Sequence, residues 1–267
     1  MALKFAANLN FLFTEKASSI VERICLAHQH GFRAVELTCP GDGNESQKVL
    51  ATIKQSGMAV SLVNLATDRT KDELKWGSTG IPGAEKLFQQ QLNSTIEFAK
   101  AAKCQKIHLM SGLLTDKQLE CDYNRTYLSN LKLTAEKLRS SNIIGLVEPI
   151  NPYYVPKYYM DSYVKAIEVL ESVQCDNIKL LVDLFHLQCL KGNVTRSLKE
   201  YGEYIGHFQI AQVPNRNEPD TMGELDYAYI FQIIQEFGYT DWIGCEYKPK
   251  TTTVEGLNWF QKFGFKL

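Results

Sequence analysis

The chain carries almost no net charge: 29 lysines and arginines face 30 aspartates and glutamates across 267 residues, leaving −1 at neutral pH. That balance gives no electrostatic footprint for nucleic acid or an anionic membrane, so neither is an expected partner. No apolar run approaches the roughly 18 residues needed to cross a bilayer, and a membrane span is not expected. Phosphate cradles are missing too. Neither GxGxxG nor GxxxxGK(S/T) occurs, and there is no GxSxG elbow, which removes the usual supports for nucleotide binding and serine hydrolysis, and with them any organic cofactor. The seven cysteines are odd in number and scattered without CxxC spacing. This argues against a disulfide framework or zinc knuckle and for reduced thiols in a cytoplasmic protein. The first 13 residues include Lys4, Asn8 and Asn10 where an apolar signal core would lie, so they are read as part of the folded protein. No Pro-, Gly- or Ser-rich linker divides the chain, which points to one domain over residues 1–267.

What is present is an alternation of short β-rich apolar runs with longer helical patterns, repeated eight times. Candidate strands lie at 4–7, 34–37, 59–63, 106–110, 143–148, 179–183, 207–211 and 242–246. At about 33 residues per unit this is the pace of a single (β/α)8 barrel, the TIM-barrel architecture. For a chain of this length the area scalings give roughly 44,000 Å² unfolded and roughly 12,000 Å² folded, so core size is not limiting. Thr14 is expected to cap a first helix whose face carries Ile20, Ile24 and Ala27 and which ends at Gly31; His28 and His30 fall on it. Leu128, Leu131, Ala135 and Leu138 form a second stripe. Asp226 caps a third, of Ile230, Ile234 and Phe237, stopped by Gly238. Long irregular stretches at 64–83, 149–161 and 212–225 all lie on the strand-to-helix side, where a barrel carries its active site.

Polar residues recur at those strand ends. Ile143-Ile144-Gly145-Leu146-Val147 ends in Glu148, Leu180-Leu181-Val182 in Asp183 and Trp242-Ile243-Gly244-Cys245 in Glu246, while Gln209 stands in strand seven. Each acid alone could cap the following helix or pair with a surface base. Together, on four consecutive staves, Glu148, Asp183, Gln209 and Glu246 point into one mouth, where unpaired carboxylates would repel and a divalent cation is the simplest compensation. The oxygen-rich set favours Mg²⁺ or Mn²⁺ over structural Zn²⁺. His186 and Arg216 stand close enough in sequence to bond a substrate oxygen and a substrate carboxylate respectively. His108 is a weaker candidate and Lys248 reads as a surface lysine. His207 reads as structural, and Tyr153, Tyr154, Tyr158 and Tyr159 either wall a pocket or cover the barrel.

At these residues the sequence resembles the hydroxypyruvate isomerase family, within the xylose-isomerase-like barrels that also include ketose 3-epimerases and endonuclease IV. The resemblance spans nearly the whole chain. It rests on Phe5-Ala6-Ala7-Asn8-Leu9, Gly31-Phe32-Arg33-Ala34-Val35-Glu36, Val147-Glu148-Pro149-Ile150-Asn151 and Asp183-Leu184-Phe185-His186. It continues through Gly206-His207-Phe208-Gln209-Ile210-Ala211 and Gly244-Cys245-Glu246-Tyr247-Lys248-Pro249, with Thr251-Thr252-Thr253 following. It implies that Glu148, Asp183, Gln209 and Glu246 hold a divalent ion, that Glu148 and Glu246 move the proton, and that His186 and Arg216 bind substrate. The implied substrate is a small hydroxy-keto acid, hydroxypyruvate, interconverted with 2-hydroxy-3-oxopropanoate (tartronate semialdehyde). A ketose 3-epimerase on a small sugar is one alternative, although Tyr154 stands near the place of an acidic substrate contact in the epimerases. A catalytically silent binding barrel is the other. Endonuclease IV needs a histidine-rich zinc cluster, and this chain has five histidines in all. A homo-oligomer is compatible with this composition.

Overall fold

Each of the eight apolar runs forms a parallel strand, and the strands close in sequence order, with the last hydrogen-bonded to the first. In the computed structural model, which describes every residue except Met1, Asp42, Arg69 and Glu73, they are β1 (Lys4–Asn8), β2 (Ala34–Thr38), β3 (Ala59–Asn64), β4 (Lys106–His108), β5 (Ile144–Val147), β6 (Ile178–Asp183), β7 (Ile205–Ile210) and β8 (Trp242–Cys245). The expectations for the first 13 residues and for 64–83 therefore lie outside the description at Met1, Arg69 and Glu73. The outer ring is α1 (Ile20–Gln29), α2 (Asn44–Ser56), α3 (Glu85–Ala101), α4 (Glu120–Arg139), α5 (Tyr163–Val173), α6 (Leu184–Leu190), α7 (Val194–Tyr201) and α8 (Tyr227–Glu236), followed by α9 (Thr253–Gly256) and α10 (Asn258–Lys262). The accessible surface is 12,542 Å², close to the folded area expected for the length. Among the described residues no helix is long and apolar enough to cross a membrane.

Local chemistry explains most boundaries. Ser162 and Asp226 cap α5 and α8 through side-chain oxygens that accept from Lys165 N and Tyr229 N, satisfying amide groups a helix leaves free. The first helix is a correction. Thr14 bonds back to Phe11 O instead, and the cap is Ser19, reciprocated by Glu22 in a capping box. Such a box satisfies two donors at once, which a lone threonine cannot. His28 lies in α1, whereas His30 is its C-cap, stacked on Phe13. In α4 the buried stripe is Tyr127, Leu131, Ala135 and Leu138, with Leu128 half-buried beside it. Phe237 is the C-cap of α8 and is 39% exposed, so that apolar stripe stops at Ile234.

Alternation along the strands separates two interiors. Outward residues such as Val35, Val63, Ile107, Val147, Val182 and Phe208 join the large core under the helices. Inside the barrel the apolar packing is a small cluster of Leu62, Leu146 and Leu181. Around it lie Asn8, Glu36, Lys106, Asp183, His207 and Gln209, all buried. A barrel lumen usually packs branched apolar side chains in layers; here polar groups replace much of that packing and must satisfy one another.

The stretch after β3 reaches back over the mouth. Gly77 bridges Ser111 with φ +105°, and a Cβ there would lie 2.0 Å from Met110 O. Only glycine fits that approach, and it sets Trp76 on the wall of the mouth. Gly77→Ala is expected to destabilise the protein by about 1–3 kcal/mol, read by denaturant titration; an unchanged midpoint would show that the approach is relaxed in solution.

Candidate active site

The carboxyl ends of the strands open into a cavity of about 370 Å³ whose wall includes His108, Glu148, Tyr154, His186, Arg216 and Glu246. Glu148 follows β5, Asp183 ends β6, Gln209 lies in β7 and Glu246 follows β8. The three acids are nearly inaccessible. Asp183 plays two parts: its Oδ1 accepts from Phe185 N at 2.9 Å as the cap of α6, and its Oδ2 accepts from Arg216 Nη2 at 2.8 Å. The same Nη2 donates to Glu246 Oε2 at 2.8 Å. The Arg216 guanidinium is packed against Phe11, Tyr154 and Phe185, 4.2 to 5.0 Å from their centroids, an arrangement suited to a buried arginine.

Two histidines face Glu148. His186 Nδ1 accepts from Asn151 N at 3.2 Å. A backbone amide can only donate, so the bonding pattern puts the proton on Nε2. That Nε2–H lies 3.6 Å from Asp183 Oδ2 and 3.9 Å from Glu148 Oε1. Ligand atoms of Glu148, Asp183 and His186 all fall within 4.8 Å of one another, yet this tautomer makes His186 a donor and leaves the metal-ligating capacity to oxygen. His108 Nε2 lies 3.4 Å from Glu148 Oε2, so this weaker candidate does belong to the site. Lys248 does not reach the cavity: its side chain is exposed, and its backbone N–H engages Arg216 O. Of the tyrosines, Tyr158 and Tyr159 are buried, Tyr154 borders the cavity and Tyr153 is exposed.

Asn8 and Glu36 were not expected at the site. Asn8 Nδ2 donates to Glu246 Oε1 at 3.2 Å and to Glu36 Oε2 at 3.1 Å, and Gln209 Nε2 donates to Glu36 Oε2 at 2.9 Å. The signal lay in Ala34-Val35-Glu36-Leu37-Thr38: a carboxylate in an apolar strand marks a face that does not point to the helices. Among the described residues, five buried side-chain atoms lack a hydrogen-bond partner: Tyr127 Oη, Tyr163 Oη and, at the mouth, His108 Nε2, Glu148 Oε1 and Gln209 Oε1.

Burial dominates the electrostatics. It raises Glu148 well above the usual carboxylate range, with Glu246 and Asp183 adding repulsion. It raises Asp183 despite the opposing Arg216 charge. Glu246 is pushed up to about 8 by burial, against the pull of Arg216 and with repulsion from Asp183 and Glu36. Burial and the Arg216 charge lower His186 well below its ordinary value, so it is neutral. Burial alone would lower Arg216, but Glu246 and Asp183 outweigh it and hold the guanidinium charged. An acid with a raised folded pKa contributes stability that is complete below its unfolded value and lost as pH rises through the folded one. For Glu246 that window runs from 4.5 to about 8. In chelator, the melting temperature is expected to fall between pH 6 and pH 9, and Mn²⁺ should flatten the decline. A melting temperature that rises over this range would contradict the burial of these acids.

A family profile described as xylose isomerase-like TIM barrel matches residues 24–263. Over 267 residues the chain is 60% identical to a Drosophila melanogaster protein named "Putative hydroxypyruvate isomerase", covering 100% of both chains. It is 36% identical to the Escherichia coli (strain K12) hydroxypyruvate isomerase, covering 98% of this chain and 99% of the other. The Haemophilus influenzae 2-oxo-tetronate isomerase is 37% identical, with coverage of 97% and 99%. A solved structure described as AP endonuclease, family 2, from Brucella melitensis superposes with a TM-score of 0.91 at 33% identity, covering 98% of this chain and 99% of that one. A D-psicose 3-epimerase from Clostridium cellulolyticum shares the fold at a TM-score of 0.75 and 15% identity, with coverage of 96% and 89%. With a matching profile over most of its length and full-length relatives well above 30% identity, the chain belongs to the xylose isomerase-like TIM barrel family and, within it, to the hydroxypyruvate isomerases.

Proposed function

We propose that this protein is an isomerase that interconverts hydroxypyruvate and 2-hydroxy-3-oxopropanoate by proton transfer within a cavity lined by Glu148 and Glu246. The observation that carries the reading is the buried set of acids at the ends of β5, β6 and β8, beside an amide in β7 whose Oε1 has no partner. Buried polar atoms are ordinarily paired, and of those left without a partner, Glu148 Oε1 and Gln209 Oε1 are hard oxygen donors on these strands. Glu148, Asp183, Gln209 and Glu246 thus fit a divalent ion, Mg²⁺ or Mn²⁺ by their chemistry. Such an ion, when bound, keeps the carboxylates ionised and acidifies a C–H flanked by carbonyl and hydroxyl oxygens.

The remaining work falls to the chain. Arg216 is the buried cation of the cavity wall and pairs the substrate carboxylate. The neutral His186 offers its Nε2–H to a substrate oxygen. One glutamate takes a proton from C3 and the resulting enediolate regains a proton at C2, while the O3 hydroxyl proton ends on O2, so atoms and charge balance. Glu148 is the freer base, because Glu246 accepts from both Arg216 and Asn8. The substrate class follows from the relatives named for hydroxypyruvate and 2-oxo-tetronate isomerisation, both small hydroxy-keto acids. A sugar epimerase fits less well: Tyr154, near the place where the epimerases carry a polyol-binding acid, packs on Arg216. Seven cysteines scattered without CxxC spacing suit a cytoplasmic setting.

Purified protein is expected to interconvert the two acids with Mg²⁺ or Mn²⁺ and to stop in chelator; absence of turnover across divalent ions would overturn the assignment. Glu148→Gln and Glu246→Gln should each lower kcat by about 10²–10⁴-fold, measured alongside solvent deuterium incorporation at C2. Near wild-type rates in both variants with no deuterium uptake would exclude the glutamates as bases. Arg216→Met should raise KM for the acid substrate far more than for a neutral ketose.

A further inference from the structure

Beneath the cavity runs a hydrogen-bonded chain that none of the steps above uses. Its centre is Glu36, 1% exposed. Glu36 Oε1 lies 2.6 Å from His207 Nε2, and Oε2 accepts from Gln209 Nε2 and Asn8 Nδ2. Gly244 leaves room for it, since a Cβ at that position would lie 2.3 Å from Oε2 and 2.5 Å from Oε1. The direction of every bond in the chain is set from its far end. The Lys106 ammonium, which can only donate, lies 3.3 Å from His207 Nδ1 and is held by Asp241 at 2.8 Å. Tyr239 Oη, the other group near Nδ1, gives its proton to Trp242 O at 3.0 Å. Nδ1 therefore accepts from Lys106, and the His207 proton sits on Nε2, facing Glu36. Asn8 is oriented separately, because its Oδ1 accepts from Asn10 N at 3.0 Å. Ser61 Oγ also donates to Oε1, at 3.5 Å, so every group around Glu36 is a donor, and Gln209 must turn its NH₂ toward it. That leaves Gln209 Oε1 facing away, one of the buried oxygens without a partner among the described residues.

We propose that Glu36 is a positioning residue which, with its donors fixed by His207 and Lys106, holds the Gln209 amide so that its oxygen faces the ion-binding carboxylates. This rests on the metal site argued above. It makes a directional prediction. In Glu36→Gln no orientation of the new amide serves all three donors: with its oxygen toward the His207 N–H its NH₂ opposes Asn8 and Gln209, and Gln209 reverses to present NH₂ to the ion, whereas with its oxygen toward Asn8 and Gln209 its NH₂ opposes the His207 N–H, and the hold on Gln209 is strained. Adding Lys106→Met frees His207 to carry its proton on Nδ1, so the new amide can donate to Nε2 and accept from Gln209 again.

Calorimetric titration of Mn²⁺ into wild type, E36Q, K106M and the double variant reads this as an affinity cycle. Loss of such a supporting contact typically weakens a metal about 10- to 100-fold, and E36Q is expected to fall in that range. K106M should then restore affinity in the E36Q background by at least about tenfold more than it changes wild type. Charge effects alone would make the two substitutions additive. Additive effects, or wild-type affinity in E36Q, overturn the role of Glu36 while leaving the metal site standing; no binding by wild type overturns both. Neutron diffraction from deuterated wild-type crystals needs no variant. Deuterons on His207 Nε2 and on Gln209 Nε2 facing Glu36 are expected, and a reversed amide or a deuteron on His207 Nδ1 would refute the proposal.

Discussion

Carboxylates crowded and buried at a barrel mouth impose the constraint from which most of this structure follows. Glu148, Asp183 and Glu246 are almost fully buried, and the cation touching two of them is Arg216. Removing charges from water is costly unless they are paired. The protein meets that cost in two ways. Arg216 is shared by Asp183 and Glu246 and shielded by three aromatic rings. The helix start at α6 is placed on Asp183. Among what remains without a partner are an oxygen of Glu148 and one of Gln209, which the proposed function gives to a hard cation.

The same constraint accounts for the polar lumen. A purely apolar barrel interior would pack well but could not orient an amide or neutralise a carboxylate beneath the mouth. Here the apolar plug is reduced to Leu62, Leu146 and Leu181, and a chain from Asp241 through Lys106 and His207 to Glu36 fills the rest. The rigidity comes from direction: each member can bond its neighbours in one sense only, because lysine donates and a carboxylate accepts. Stability is carried chiefly by the larger core outside the barrel, where the strands meet the helices.

The barrel and the four strand-end residues were legible because both are written in short-range pattern. Eight βα alternations have few topologies open to them, and an apolar run ending in Glu or Asp places that acid at a strand end whatever the details of the loop. The Ser19 cap was missed because two plausible caps precede one apolar stripe, and only the reciprocal contact with Glu22 separates them. Glu36, Asn8 and Trp76 depend on residues 28 to 238 positions away or on the path of a long loop, which no local pattern encodes. His207 read as structural since its partner lies across the barrel, 171 positions distant. Arg216 was expected near the site, but its sharing between two carboxylates is a fact of three dimensions.

The central claim is that four strand-end oxygens converge on one divalent ion. Anomalous diffraction at the manganese edge, from crystals grown with Mn²⁺ and hydroxypyruvate, tests it most directly. The account predicts a single strong peak in coordination contact with Glu148, Asp183, Gln209 Oε1 and Glu246, with His186 directed at the substrate. A peak ligated by His186 without Gln209, or no peak in this cavity at saturating Mn²⁺, would contradict it.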